Sequence, residues 1–281
     1  MQNPSFISKI VKSILKNTKP EYMTSQNKIE EYLAYKKDEK VKTIFKTKEV
    51  GMLKNIFFGD ENNSSIIIYI HGGAYINQLN IQHKIYCYIL NKLLKIPVIA
   101  PIYPLAPNHD YNESFELITN LYATLADKYD KIIFMGDSAG GGFILSFCQY
   151  INTTSMRKPD NIIAISPWVD ISMKNNYDDT DDVILGNIGL REIGKKWANN
   201  TDTRNYRVSP LYGDNHNLPK TLITTGTDEI FYQDIKDYYE NLIKNHVDAK
   251  LIIGEKLFHI YPMFPIPEAL TVLKEIKKEI M

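Results

Sequence analysis

Six short apolar runs, most of them separated by stretches of helical periodicity, constrain the fold of this chain more than any other feature. The runs cover residues 65–70, 96–102, 131–136, 161–166, 220–226 and 249–254. Helical patterns occupy residues 81–95, 112–128, 139–151, 232–246 and 267–280. Apolar strands alternating with amphipathic helices are typical of a mostly parallel sheet with helices on both faces. The sequence therefore predicts an α/β fold, in which sites gather at the carboxyl ends of the strands.

Other segments fall outside this alternation. Residues 41–58 are rich in β-branched and aromatic side chains around Gly51, which predicts an antiparallel strand pair. Residues 173–208 contain no clear strand and are interpreted as an insertion over the sheet. At 281 residues, the chain suits one large domain with a small accessory segment better than two independent domains.

The N-terminal segment carries an amphipathic helical pattern. Its apolar residues recur at spacings of three and four, opposite a set of lysines, and are Phe6, Ile7, Ile10, Val11, Ile14 and Leu15. Such a helix lies over the body of a protein, closes as a lid over a site, or docks on a membrane surface. The pattern leaves all three interpretations open.

Composition and charge exclude several classes of function. The 33 basic and 33 acidic side chains give a net charge of +0, so no global field favours nucleic acid. No stretch approaches the roughly 18 continuous apolar residues of a membrane span, which predicts no stable membrane insertion, and without a cleavable leader the expected location is cytoplasmic. No metal site is expected, because the cysteines lack ligand spacing and no His or Cys accompanies the acidic stretch, which is interpreted as a solvated loop: Asp178, Asp179, Asp181 and Asp182.

A glycine-flanked serine follows the third apolar run directly. The segment Gly136–Gly140 reads Gly-Asp-Ser-Ala-Gly and precedes a helical pattern. A sharp strand–turn–helix of this kind raises the serine hydroxyl above the sheet, and the flanking glycines relieve crowding in the turn. We therefore predict that Ser138 is a nucleophile.

A pair of glycines follows the first apolar run in the same way. Gly72 and Gly73 come after His71, and glycines allow backbone N–H groups to approach a ligand closely. Together with the N–H of Ala139, they are predicted to form an oxyanion hole, which stabilises the charge that develops when a serine attacks a carbonyl.

The combination resembles the hormone-sensitive-lipase group of α/β hydrolases, which includes bacterial acetyl esterases and carboxylesterases. The matching segments appear in the family's order and are His71–Gly73, Tyr103–Pro107, Gly136–Gly140, Ser166–Asp170 and Ser209–Leu211. The chain departs from the family at Ala74, where a third glycine is usual, and at Ile102 and Pro104, where Asp and Arg are common. The resemblance implies an α/β-hydrolase fold, with a mostly parallel central sheet and a small helical cap.

The resemblance also implies a histidine base after the last strand and an acid before it. His259 follows the run 249–254, where the family places its base. Asp228 and Glu229 are neighbours after the run 220–226, and either could face the imidazole on spacing alone. Aligning the family's segment without gaps favours Glu229, with Asp228 as the alternative acid.

The implied activity is that of a serine carboxylesterase acting on small, short-acyl esters through a Ser–His–acid triad and an acyl-enzyme, without a metal or organic cofactor. The domain prediction is a helical cap segment at residues 1–40 and a catalytic domain at residues 41–281, with a cap insertion at 173–208. Tyr75 and Trp168 are candidates for lining the substrate pocket, and core packing is the alternative for both. A small ester is the expected partner.

Two rival functions and one question of assembly stay open. An amidase or deacetylase would use the same triad, and a catalytically silent ligand-binding member would have lost part of it. A homodimer is compatible with the sequence.

Overall fold

Eight strands form one sheet in the computed structural model, which describes residues 4–175 and 181–281. They are β1 (Thr47–Val50), β2 (Leu53–Phe58), β3 (Ser65–Ile70), β4 (Val98–Pro101), β5 (Lys131–Asp137), β6 (Asn161–Ile165), β7 (Lys220–Gly226) and β8 (Ala249–Gly254). Their order is β1-β2-β4-β3-β5-β6-β7-β8. The β1–β2 and β2–β4 pairs are antiparallel and the remaining pairs are parallel. The sheet is therefore mostly parallel, as predicted.

Helices connect and flank these strands. Within the described ranges they are α1 (Phe6–Lys16), α2 (Gln26–Tyr35), α3 (Ile81–Leu94), α4 (Tyr111–Ala126), α5 (Ser138–Ile151), α6 (Asn187–Ala198), α7 (Tyr232–Lys244) and α8 (Pro267–Ile280). None of these helices has the length and apolar character needed to cross a bilayer. Short 3₁₀ turns lie at Glu21–Met23, Pro210–Tyr212 and Tyr261–Met263.

The strands divide their side chains between two hydrophobic cores. In β3, Ile66 and Ile68 belong to one core, and Ile67 and Tyr69 belong to the other. Successive residues of a strand point to opposite faces of a sheet, so these cores lie on its two faces. Buried side chains of α4, α5 and α7 complete the first core, and those of α3 and α8 complete the second. This arrangement confirms the prediction of a sheet covered on both faces.

The N-terminal segment packs against the segment between β6 and β7. The turn Glu21–Met23 and α2 contact α6. The contact is close, because a Cβ atom on Gly186 would lie 2.3 Å from the carbonyl oxygen of Met23. Two segments that the sequence assigns to a cap therefore meet, although residues 1–3 and 176–180 within them lie outside the described residues. The domain boundaries themselves stay predictions.

Helix α1 presents most of its apolar face to solvent. Phe6 and Ile14 are 77% and 59% exposed, whereas Ser8 on the other side is buried. The hydroxyl of Ser8 donates a hydrogen bond of 2.6 Å to Glu268 of α8, and Lys12 pairs with Asp228. Polar contacts thus hold the helix, and its apolar pattern alone does not indicate which side faces the protein.

Candidate active site

The turn from β5 into α5 places Ser138 in a left-handed backbone conformation, with φ of +51°. Non-glycine residues seldom adopt this region, and strain of this kind is typical of a nucleophile elbow. The turn depends on close backbone approach, because a Cβ atom on Gly140 would lie 2.1 Å from the carbonyl oxygen of Ile70. The predicted strand–turn–helix is confirmed in its geometry.

A continuous hydrogen-bonded chain joins Ser138, His259 and Glu229. The Ser138 Oγ lies 2.8 Å from Nε2 of His259, and the Nδ1 of His259 lies 2.8 Å from Oε2 of Glu229. An ionised carboxylate only accepts hydrogen bonds, so Nδ1 is the donor and Nε2 is left to accept the serine proton. Burial alone would lower the pKa of His259, but the hydrogen bond and the charge of Glu229 raise this pKa above its ordinary value.

The structure separates the two neighbouring acids. Both carboxylate oxygens of Glu229 are engaged, one by His259 and the other by the hydroxyl of Thr225. Asp228 instead pairs with Lys12 and accepts a hydrogen bond of 3.0 Å from the hydroxyl of Thr227. Glu229, and not Asp228, therefore faces the imidazole. Sequence reasoning did not single out Thr225, whose position in β7 gives no signal beyond its hydroxyl.

The loop that carries His259 is fixed from a neighbouring strand. The backbone N–H of Ile260 donates a hydrogen bond of 3.0 Å to the hydroxyl of Ser166, which follows β6. Phe231 packs edge-on against the imidazole, with ring centroids 5.3 Å apart. These contacts restrict the orientation of His259 before any ligand arrives.

Asp182 is a buried carboxylate near His259. The interpretation of this residue as part of a solvated loop is therefore wrong. Asp182 accepts hydrogen bonds from the backbone N–H groups of Ile184, Leu185 and Ile230 at 2.8 to 2.9 Å. Burial raises the pKa of Asp182. Its hydrogen bonds connect Ile184 and Leu185, which precede α6, with Ile230, which follows Glu229. Asp181 is exposed, as expected, whereas Asp178 and Asp179 lie outside the described residues.

The predicted oxyanion hole needs one correction. The N–H of Gly72 donates a hydrogen bond of 3.0 Å to Oδ1 of Asp137, so this group is already engaged and is not aimed at a ligand. Gly73 and Ala74 instead border the cavity at Ser138. The sequence does not reveal that Asp137 engages Gly72, and it gives no reason to place Ala74 at this cavity. Ala139 lies in the first turn of α5, as predicted.

Asp137 links the elbow to this glycine loop. Besides Gly72, its carboxylate accepts a hydrogen bond of 2.6 Å from Tyr69 and lies 3.4 Å from Nε2 of His83. Burial alone would raise the pKa of Asp137, but His83, Tyr69 and Gly72 hold it below its ordinary value. The carboxylate thus fixes the relative position of two backbone segments that meet at Ser138.

A cavity of about 270 Å³ reaches Ser138 and His259. Its wall includes Leu15 and Met23 from the N-terminal segment, and Leu185 from the segment before α6. Tyr75 and Trp168, the predicted lining residues, are absent from this wall.

Tyr75 and Trp168 belong to the packed interior instead. Both side chains are buried, and the ring of Tyr75 stacks on Trp197 with centroids 4.2 Å apart. Trp168 contacts the elbow through its backbone, because its N–H donates a hydrogen bond of 2.9 Å to the carbonyl of Ser138. Their alternative interpretation, core packing, describes both.

The described part of the chain brings no three His, Cys, Asp or Glu side chains together in a way that could hold a metal ion. The groups that the structure places at this site are the hydroxyl of Ser138, the imidazole of His259 and the carboxylate of Glu229.

Comparisons with known proteins identify the family of this chain. The sequence profile of a family described as the α/β hydrolase fold matches residues 67–263. An esterase of Acinetobacter venetianus is 30% identical over 224 residues, which are 76% of this chain and 73% of that protein. An acetyl-hydrolase of Streptomyces hygroscopicus is 24% identical over 201 residues, covering 69% and 67% of the two chains.

Solved structures show the same fold. A hormone-sensitive lipase from a metagenome library superposes with a TM-score of 0.81 at 24% sequence identity, and the match covers 97% of each chain. At this identity the likeness concerns the fold alone.

Proposed function

Because this chain belongs to the α/β hydrolase fold family, we propose that it is a serine carboxylesterase in which Ser138, His259 and Glu229 form the catalytic triad. The unbroken Ser138–His259–Glu229 hydrogen-bond chain carries the proposal. Chains of this form convert a weakly nucleophilic hydroxyl into an effective attacking group.

In the proposed reaction, His259 takes the proton of Ser138 as the serine oxygen attacks the carbonyl carbon of an ester. The resulting tetrahedral oxyanion collapses, the bond to the alcohol oxygen breaks, and the alcohol leaves with a proton from His259. Water, activated by the same imidazole, then attacks the acyl-enzyme and releases the acid. Glu229 holds the Nδ1 proton and stabilises the imidazolium in both steps.

We assign the oxyanion to the N–H groups of Gly73, Ala74 and Ala139. Gly73 and Ala74 border the cavity beside Ser138. Ala139 is the second residue of α5, and the N-terminus of a helix carries a partial positive charge. Gly72 acts indirectly in this scheme, through its hydrogen bond to Asp137.

The size of the cavity supports a small substrate with a short acyl chain. Its volume of about 270 Å³ is shared between the acyl group and the alcohol. Segments from both predicted cap regions supply part of its wall, which supports their assignment as a cap.

Labelling with a fluorophosphonate, followed by hydrolysis of short nitrophenyl esters and of the matching amides, tests the proposal. We expect labelling that the Ser138→Ala substitution abolishes, and ester turnover that exceeds amide turnover. An unlabelled wild-type protein, under conditions where a known esterase reacts, would instead indicate a silent ligand-binding protein. Preferential turnover of the amides would indicate an amidase or deacetylase.

A further inference from the structure

Exposed apolar side chains of three helices share one side of the molecule. Their exposed fractions range from 40% to 77%, and together we call them the apolar surface: Phe6, Ile7, Ile10 and Ile14 of α1, Ile81, Ile85 and Ile89 of α3, and Leu270 of α8. Five of them, from all three helices, line a groove of about 850 Å³. The others continue along the same side of α1 at helical spacing. Contiguous exposed apolar patches of this kind mark interaction sites.

Polar contacts hold α1 in this orientation. On the inner side of the helix, Ser8 donates a hydrogen bond to Glu268, and Lys12 pairs with Asp228. Turning the apolar side inward would break both contacts and leave Glu268, which is half-buried, without these partners. The outward direction of the apolar side is therefore built into the fold.

On α1 and α3, two of the three helices that form the apolar surface, every Lys, Arg, Asp or Glu is a lysine. The sequences of α1 and α3 contain five lysines and no Asp or Glu. Lys12 is paired with Asp228 and Lys84 is buried, which leaves Lys9, Lys16 and Lys92 at the surface. The third helix, α8, has three lysines and three glutamates, so the excess of positive charge at this surface comes from α1 and α3.

We propose that the apolar surface docks on an anionic phospholipid membrane. An exposed apolar helix face flanked by lysines suits the boundary between lipid headgroups and acyl chains, where lysine stems reach back to the phosphates. A second copy of the chain fits less well, because a two-fold interface sets the same patch against itself and would bring lysines of both copies together.

Docking would bring the cavity of Ser138 next to the lipid. Gln82 and Phe264 line both the cavity and the apolar groove, so the two are neighbours. Resting on the proposed function, this implies substrates that are amphiphilic esters, with the acyl group and the near part of the alcohol in the cavity and an apolar extension of the alcohol in the groove or the lipid.

Vesicle flotation tests the docking itself. The Ser138→Ala protein, which leaves the lipid unhydrolysed, is mixed with vesicles of equal parts phosphatidylcholine and phosphatidylglycerol, or of phosphatidylcholine alone. A double substitution, Ile10→Glu with Ile85→Glu, is compared with a matched control, Ile243→Glu with Ile253→Glu, whose side chains are 46% and 39% exposed on α7 and β8. Fluorophosphonate labelling of the corresponding serine-containing proteins is measured separately, so that failure of docking and failure of the proposed function are distinguished.

We expect the parent and the control to float with the anionic vesicles, and partitioning of the double variant to fall by roughly tenfold or more. Binding should weaken at high salt and on phosphatidylcholine alone. The proposal is overturned if the parent binds neither vesicle, or if the double variant binds as well as the control. It is also overturned if sedimentation velocity shows a dimer that Ile10→Glu with Ile85→Glu dissociates, since the occupant is then a second copy.

Discussion

The ammonium group of Lys12 contacts the carboxylate of Asp228, the residue that directly precedes Glu229. This ion pair joins the N-terminal helix to the loop that supplies the proposed triad acid. The acid loop is also tied to the histidine loop, because the N–H of Asp228 donates a hydrogen bond of 3.0 Å to the carbonyl of Leu257. The two adjacent carboxylates therefore have different partners. Asp228 pairs with Lys12 of α1, and Glu229 accepts a hydrogen bond from His259.

Replacing each acid in turn separates these tasks. Asp228→Ala removes a partly exposed ion pair and should lower kcat by no more than about fivefold. Glu229→Ala removes the partner of Nδ1 and should lower kcat by roughly a thousandfold to ten-thousandfold. Steady-state kinetics on a nitrophenyl ester measures both. Loss of turnover in Asp228→Ala, with near-normal turnover in Glu229→Ala, would reverse our assignment.

The pH dependence of kcat/KM should report His259. The imidazole acts as a base only when neutral, and Glu229 raises its pKa above the ordinary value. Activity should therefore fall, as pH decreases, through a midpoint above that of a free imidazole. In Glu229→Gln the residual activity should titrate at a lower pH, because the stabilising charge is gone. An unchanged midpoint in that variant would show that another group controls the acidic limb.

Asp182→Asn should destabilise the protein and disturb the site. The carboxylate accepts hydrogen bonds from three backbone N–H groups, and the amide of Asn would point its own N–H at one of these donors. The lost hydrogen bond should lower the free energy of unfolding by about 1 to 3 kcal/mol. Urea unfolding measures the stability, and kinetics on a nitrophenyl ester measures kcat. Asp181→Asn is the matched control, because this neighbour is exposed and should tolerate the change. Equal stability of the two variants would show that the buried hydrogen bonds matter little.

Gly73→Ala should impair the proposed oxyanion hole. The residue has φ of +110°, and a Cβ atom would lie 2.4 Å from the carbonyl oxygen of Asn77, so the loop must shift. We expect kcat to fall roughly a hundredfold, the effect of a lost oxyanion donor. Gly59→Ala is a control with similar backbone strain, at φ of +104°, in the loop after β2. If Gly73→Ala and Gly59→Ala both fold and lose turnover to a comparable extent, the loss is due to general destabilisation and not to the oxyanion hole.

Elements with strong periodicity could be predicted from the sequence almost to their ends. The runs 65–70, 220–226 and 249–254 coincide with β3, β7 and β8, because buried parallel strands are rich in apolar and β-branched residues. The run 96–102 contracts to β4 at Val98–Pro101. Ser138 was predicted from its flanking glycines, and His259 from the position at which the resembled family has its base; the structure places the two side chains 2.8 Å apart.

Features that depend on a distant partner could not be predicted. The engagement of Gly72 by Asp137 follows from the meeting of β3 and β5, whose residues are far apart in the sequence. The burial of Asp182 depends on the N–H of Ile230, and an acidic stretch gives no sign of it. The outward turn of α1 likewise depends on Glu268 and Asp228, while the helical pattern fixes only that one side is apolar.

The Ser138–His259–Glu229 chain joins residues from three separate loops, and its serine and histidine are 121 positions apart in the sequence. Each loop holds its geometry only while its own strand is paired in the sheet, so the hydrogen-bond chain exists only when β5, β7 and β8 are all in register. Turnover is consequently a reporter of refolding: in a denaturation–renaturation experiment, recovered activity counts molecules in which strands β5 to β8 have reassembled.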